Sequence, residues 1–192
     1  MTTTAVRLFV AINLPPSERQ AIHRATAALR DAAGTVTWVA PECIHLTMKF
    51  LGEQPPESVT RIRDALDAIA RRFQPFRLDV GGLGAFPHLR APKIFWMGIA
   101  SEPKLELLHH DLEVACEALG HEVDARAFRP HLTLGRVRGR PAYLFDLLPE
   151  DAGGPKFPVR HVELVESTLT PDGAVYETVG AFALGEESRR TS

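Results

Sequence analysis

Two stretches of the chain share one pattern: Ile44-His45-Leu46-Thr47-Met48-Lys49-Phe50-Leu51 and Phe128-Arg129-Pro130-His131-Leu132-Thr133-Leu134-Gly135-Arg136-Val137. Each is a short apolar run, the first bounded by Pro41 and Gly52, and each reads as a β-strand. Alternate side chains of a strand share a face. His45 therefore projects beside Thr47 and His131 beside Thr133, while Leu46, Met48, Leu132 and Leu134 turn toward a core. The same alternation places Lys49 on the His45 face. Arg136 stands an odd number of positions from His131 and points away from it. It reaches that histidine only if the strand ends or bulges near Gly135, where glycine permits a bulge.

Two imidazoles and two hydroxyls facing one pocket suit metal-free phosphoester chemistry. To open a phosphodiester ring, water must lose a proton as it attacks phosphorus. The leaving alkoxide must gain one on the opposite side, because the displacement is in-line. Histidine performs both tasks near neutral pH, one copy neutral and the other protonated. Threonine hydroxyls can donate to the non-bridging oxygens as charge develops on them.

The remaining patterns place these strands in an α+β chain. Val6–Asn13 is a β-rich run ended by Pro15 and Pro16. Ser17 with Gln20 resembles a capping box for a helix through Ile22, Ala25, Leu29 and Ala33, stopped at Gly34. Val36–Val39 is a short strand. Val59, Ile62, Leu66, Ile69 and Phe73 follow helical spacing, as do Leu105, Leu108, Leu112, Ala115 and Leu119 before Gly120. Two strands, 76–80 and 94–99, are joined by a Gly- and Pro-rich loop over 81–92. A short helix is expected over 141–150. A closing hairpin spans 161–169 and 175–184, with Pro171-Asp172-Gly173 as its turn. Each histidine strand follows a helix of similar length, which suggests duplication of one α/β unit. The expectation is one bilobal domain over 1–184 with antiparallel or mixed sheets, and a polar tail over 185–192.

Composition narrows the function. The chain has 192 residues, 45% hydrophobic and 24% charged, with a formal net charge of -2. Without a global cationic field, any RNA contact must be local, at an end rather than along a duplex. Cys43 and Cys116 have no partner at zinc-ligand spacing, and no apolar stretch approaches a membrane span. The expected compartment is the cytoplasm.

The paired motifs His45-Leu-Thr-Met-Lys-Phe50 and His131-Leu-Thr-Leu-Gly-Arg136 resemble those of the two-histidine phosphoesterase superfamily. Arg7-Leu-Phe-Val-Ala-Ile12, Trp38-Val39, the run His45 to Glu53, Phe128-Arg-Pro-His131, and Ser167-x-Leu169 with Gly173 and Tyr176 bring the resemblance to its RNA 2′,3′-cyclic phosphodiesterase branch, also called 2′-5′ RNA ligases. The resemblance implies a pseudo-twofold fold with the site between lobes. It implies hydrolysis of an RNA 2′,3′-cyclic phosphate to a 2′-phosphate, with no cofactor or metal. His131 would activate water and His45 protonate the leaving 3′-oxygen, though the near-symmetry of the copies permits either assignment. Thr47, Thr133 and Arg136 would hold the phosphate, with Lys49 an alternative cation. The implied partner is an RNA or oligonucleotide with a cyclic phosphate end, met by a monomer away from membranes.

Other residues read more plainly. Phe9 and Phe50 could stack on a nucleobase, and His88 in the Phe86-Pro-His loop could touch substrate. His109, His110 and His121 read as solvated surface, and Gly81-Gly82-x-Gly84 as a turn. Two rival functions stand beside cyclic phosphate hydrolysis. One is cleavage, or weak reversible ligation, of 2′-5′ linkages. The other is a nucleotide- or RNA-end-binding module without catalysis.

Overall fold

Strand β1 (Val6–Asn13) shows how the sheet divides its two faces. Leu8, Val10 and Ile12 enter the main core, whereas Phe9 and Ala11 look the other way and meet Val165. The computed structural model describes residues 5–32, 34–139, 153–170 and 173–185. After β1 come α1 (Pro16–Ala25), α2 (Ala27–Ala32), β2 (Val36–Trp38), β3 (His45–Gln54), α3 (Val59–Ala70), β4 (Phe76–Phe86) and β5 (Ile94–Ile99). Then follow α4 (Pro103–Ala118), β6 (His131–Val137), β7 (Gly153–Val159), β8 (His161–Thr170) and β9 (Gly173–Ala183).

The strands form one sheet in the order β7-β4-β5-β6-β3-β1-β8-β9, with β2 added against β6. Every described pairing is antiparallel. The order divides into two four-strand lobes, joined where β3 meets β6 through the pair Leu46 and Leu132. The helices bury Ile22, Leu66, Leu108 and Leu112 in the main core on one side of this sheet. They also cross between lobes: α1 packs against β7, and α4 against β3. The opposite face of the sheet carries the motif side chains.

Several local expectations are corrected. No capping box forms at Ser17. Pro15 and Pro16 start α1 instead, and proline fits a first helical turn because its missing N–H needed no partner there. The first helix breaks at Thr26, whose buried hydroxyl donates back to the Ile22 carbonyl at 2.9 Å. The 81–92 loop is shorter than its composition implied, because β4 continues to Phe86 with a bulge near Gly82 (φ +70°). Gly84 is required for close approach: a Cβ there would lie 2.2 Å from the Trp96 indole. β7, with Pro155 and Pro158, escaped the sequence reading; it is an edge strand, where proline costs no interior ladder bond. Gly185, read as tail, is anchored by its N–H donating to the Ala70 carbonyl at 3.1 Å. The helix expected over 141–150, residues 171 and 172 of the hairpin turn, and the tail over 186–192 lie outside the described residues.

Candidate active site

The seam between the lobes creates the site. With Leu46 opposite Leu132 in antiparallel strands, His45 falls beside Thr133 and Thr47 beside His131. Each histidine thus neighbours the other copy's threonine. The two histidines are diagonal neighbours, a relation that puts Cα positions about 7–8 Å apart. All four side chains are half-buried on the face opposite the leucine pair.

Both imidazoles are oriented by the same device. His45 Nδ1 lies 2.8 Å from the Cys43 carbonyl, and His131 Nδ1 lies 2.7 Å from the Arg129 carbonyl. A carbonyl only accepts, so Nδ1 carries the proton and donates in both cases. When the ring is neutral, Nε2 is the unprotonated nitrogen. It is the atom available to take up or deliver a proton.

A bulge in each motif strand then decides the next residues. In β3, Val10 pairs with Lys49 but Ala11 pairs with Thr47, so Met48 is the extra residue. In β6, Phe95 pairs with Gly135 but Trp96 pairs with Thr133, making Leu134 the extra residue. The bulge exchanges the faces of everything beyond it. Arg136 thereby joins the His131 and Thr133 face, and it is exposed.

The same shift corrects the reading of Lys49. Regular alternation put it beside His45; the bulge turns it into the core, 6% exposed. Its ammonium donates to Glu113 Oε2 and to the Glu122 carbonyl, both at 2.6 Å. Lys49 is not a free cation for the cleft. Phe50 takes the cleft face instead and is 67% exposed.

Aromatic rings flank each histidine. Phe9 and Tyr176 lie 4.9 and 5.2 Å from the His45 ring, and Phe50 lies 6.0 Å from Phe9. Phe86 and Trp96 lie 4.9 and 6.2 Å from the His131 ring. Phe86, Trp96 and Tyr176 were absent from the residues predicted for the site. His88 stands in the exposed turn beyond Phe86, where its Nδ1 accepts from the Ala91 N–H at 3.2 Å. Phe86, rather than His88, contacts His131.

Burial pushes the His45 imidazole below its ordinary pKa; the Cys43 carbonyl opposes this, and the Arg19 charge adds to it. Arg19 is held near by the Asn13 Oδ1 at 2.9 Å and the Glu42 carbonyl at 2.7 Å. Burial raises the Tyr176 phenol, so that ring stays neutral. Cys43 and Cys116 are both free thiols. Burial lifts Cys116 to about 11 and leaves it protonated and inert. His109 is half-buried rather than solvated, stacked on Phe128 at 3.8 Å. Among the described residues, no group of three or more His, Cys, Asp or Glu side chains is placed to hold a metal ion. No helix among them is long and apolar enough to cross a membrane.

Paired His-x-Thr strands at the seam of two matched lobes define a two-histidine phosphoesterase arrangement. The 2′-5′ RNA ligase superfamily model matches residues 14–170, and the chain belongs to that superfamily. It is 34% identical to the RNA 2′,3′-cyclic phosphodiesterase of Archaeoglobus fulgidus, over 92% of this chain and 99% of the relative. It is also 34% identical to the enzyme of that name from Thermus thermophilus, over 96% and 93%. A relative of the same name from Geobacillus stearothermophilus is 35% identical over 92% of this chain, which spans only 56% of that protein. Among solved structures, TT0787 of Thermus thermophilus superposes with a TM-score of 0.81 at 31% identity, covering 94% of this chain and all of that one. Escherichia coli LigT in complex with 3′-AMP gives 0.71 at 26% identity, covering 95% and 99%.

Proposed function

We propose that this protein hydrolyses RNA 2′,3′-cyclic phosphate ends to 2′-phosphomonoesters through its two histidines, without a metal. The observation that carries the reading is the matched pair of Nδ1 ties, which leaves two Nε2 atoms across one seam. Water attacks phosphorus and gives its proton to Nε2 of His131. The P–O3′ bond breaks, and the 3′-oxygen takes a proton from Nε2 of His45. Proton exchange with solvent then restores both rings.

The surroundings favour this division of roles. The His131 tie lies in the open, where water reaches it, while the His45 tie is partly buried. Desolvation makes the His45 imidazolium a stronger acid, suited to protonating the strongly basic 3′-oxygen as it leaves. The anionic phosphate offsets that desolvation and draws a proton onto His45 when substrate binds. Thr47 and Thr133 donate to the non-bridging oxygens, and Arg136 adds positive charge. Phe50, over Phe9, offers a platform for a nucleobase. The names of the relatives and the 3′-AMP complex of LigT support a nucleotide substrate.

The test is hydrolysis of a 2′,3′-cyclic mononucleotide and of a cyclic-phosphate RNA end in EDTA, with 2′- and 3′-phosphate products resolved. A 2′-phosphate from the wild type, formed about 10²- to 10⁴-fold more slowly by His131→Ala, is expected. Activity restored only by a divalent ion would overturn the metal-free mechanism. A 3′-phosphate would overturn the regiochemistry. No turnover of either substrate would move the assignment to 2′-5′ linkages or to binding alone.

A further inference from the structure

The fifth residue of each motif differs in kind, Lys49 in one copy and Gly135 in the other, yet both occupy the same place in the pseudo-twofold. Each follows its histidine by the same spacing, just past the bulge, and each faces the core. What touches them is also equivalent. Gly135 receives β2, whose residues 36–38 lead into His45: Trp38 pairs with it, and a Cβ would meet Val36 Cγ1 at 2.7 Å and Trp38 Cε3 at 2.8 Å. Lys49 receives residues 122–124, which lie at the same distance upstream of His131.

In the Gly135 half, close backbone approach does the holding. The 122–124 segment forms no strand, and it is held by side chains. Lys49 Nζ donates to the Glu122 carbonyl at 2.6 Å. Glu113 Oε2, itself paired with Lys49, accepts from the Asp124 N–H at 3.3 Å. His109 lies 3.6 Å from Glu113 Oε1 and stacks on Phe128. The next carbonyl, of Arg129, fixes the His131 ring, and Pro130 accepts from the Ile99 N–H at 3.2 Å. A continuous chain of contacts thus runs from the first motif strand to the second histidine.

We propose that Lys49 is a positioning residue for His131: its buried ammonium holds residues 122–130, so that each motif strand places the histidine of the other copy. A lysine buried this deeply is costly unless its partners are fixed, and here they are one irregular segment's Glu122 carbonyl and the Glu113 carboxylate that supports that segment. The inference rests on His131 working as an acid–base group. A misplaced imidazole lowers turnover while leaving substrate contacts in place, because reaction geometry tolerates little displacement.

The experiment compares wild type, Lys49→Met, Lys49→Arg and the double variant Lys49→Met/Glu113→Leu. The double variant replaces the ion pair by apolar groups and leaves no buried charge to unfold the protein. Read-outs are Tm, kcat and KM on a 2′,3′-cyclic mononucleotide, and hydrogen exchange of the 122–130 amides without substrate. The expected result for Lys49→Met is a kcat lower by about 10- to 100-fold, KM within about threefold, and faster exchange across 122–130. The double variant should recover Tm without recovering kcat, and Lys49→Arg should retain part of it. Recovery of kcat together with Tm in the double variant would overturn the proposal, as would unchanged exchange in Lys49→Met. If the wild type turns over no cyclic phosphate, the functional reading fails by itself, and the exchange measurement still decides whether Lys49 holds the segment.

Discussion

His45 and His131 open identical tripeptides and are tied to carbonyls in the same way, but they stand in different surroundings. Around His45, a buried Phe9 and the neutral Tyr176 ring form an apolar wall, and the Arg19 charge is close by. Around His131, Phe86 meets the ring edge-on and the carbonyl tie is open to solvent. One motif therefore yields two imidazoles in unequal surroundings, which the proposed mechanism uses as two different proton-transfer groups. A symmetric pair would have to break its symmetry in every turnover; this pair has it broken by packing.

Removing either histidine should have the largest effect. His45→Ala and His131→Ala should each lower kcat by about 10²- to 10⁴-fold, the usual share of a general acid or base, with Tm little changed. Steady-state assays beside thermal unfolding check this. If one variant kept wild-type turnover, the two-histidine division of labour would be wrong, and the surviving half of the cleft would hold the chemistry alone.

The sixth motif position sharpens the comparison next, because Phe50 and Arg136 are equivalent by the bulges yet opposite in chemistry. Arg136→Ala should lower kcat by about 10- to 100-fold, since it withdraws charge from the developing phosphorane. Phe50→Ala should act mainly on KM, by about 5- to 100-fold, the worth of one base–aromatic stack. Equal effects on KM from both variants would mean that Arg136 binds flanking phosphate instead of the reacting one.

These two positions also mark how far the sequence could be read. The α+β class, the seam strands and the histidine–threonine set were legible because period-2 alternation and a repeated tripeptide are strong signals. The bulge in β6 was legible too, since Arg136 demanded one and Gly135 allowed it. Its twin in β3 was not. Nothing in Thr47-Met48-Lys49 announces an extra residue, so regular alternation puts Lys49 on the face opposite to the one it occupies. The continuation of β4 through Gly82 and Gly84 was hidden for a related reason: glycines that punctuate loops also serve bulges and close approaches. Phe86, Trp96, Tyr176 and the His109–Phe128 stack depend on contacts between distant segments, which local pattern does not carry.

A smaller effect concerns the His45 proton. In a titration followed by NMR, the His45 ring should protonate below the ordinary histidine range in the free protein, because burial disfavours the charged form. Adding a nucleoside 2′-phosphate should move that value upward, as the anion favours the imidazolium. Binding of the phosphate would then weaken as pH rises through the shifted value. Phe9→Ala, which opens the wall beside the ring, should raise the free-protein value toward the ordinary one. A downward shift on adding phosphate would place the anion away from His45 and overturn its role as acid.

The smallest expected effect is on stability, and its sign follows from the same burial. His45, His109 and His121 all have folded-state pKa values lowered by desolvation. The unfolded chain therefore takes up protons first as pH falls through about 6.5, the ordinary histidine value. Between there and the lower folded values, the unfolded state binds more protons, so stability declines with acidification and is fully present above that window. Thermal unfolding between pH 8 and 5 should show a falling Tm that begins near the ordinary histidine value. His45→Asn removes one contributor and should flatten the decline, and His109→Asn removes another and should flatten it as well. An unchanged slope in His45→Asn would mean that the ring pays no desolvation penalty. The apolar wall around His45 would then limit its access to water and leave its proton affinity alone.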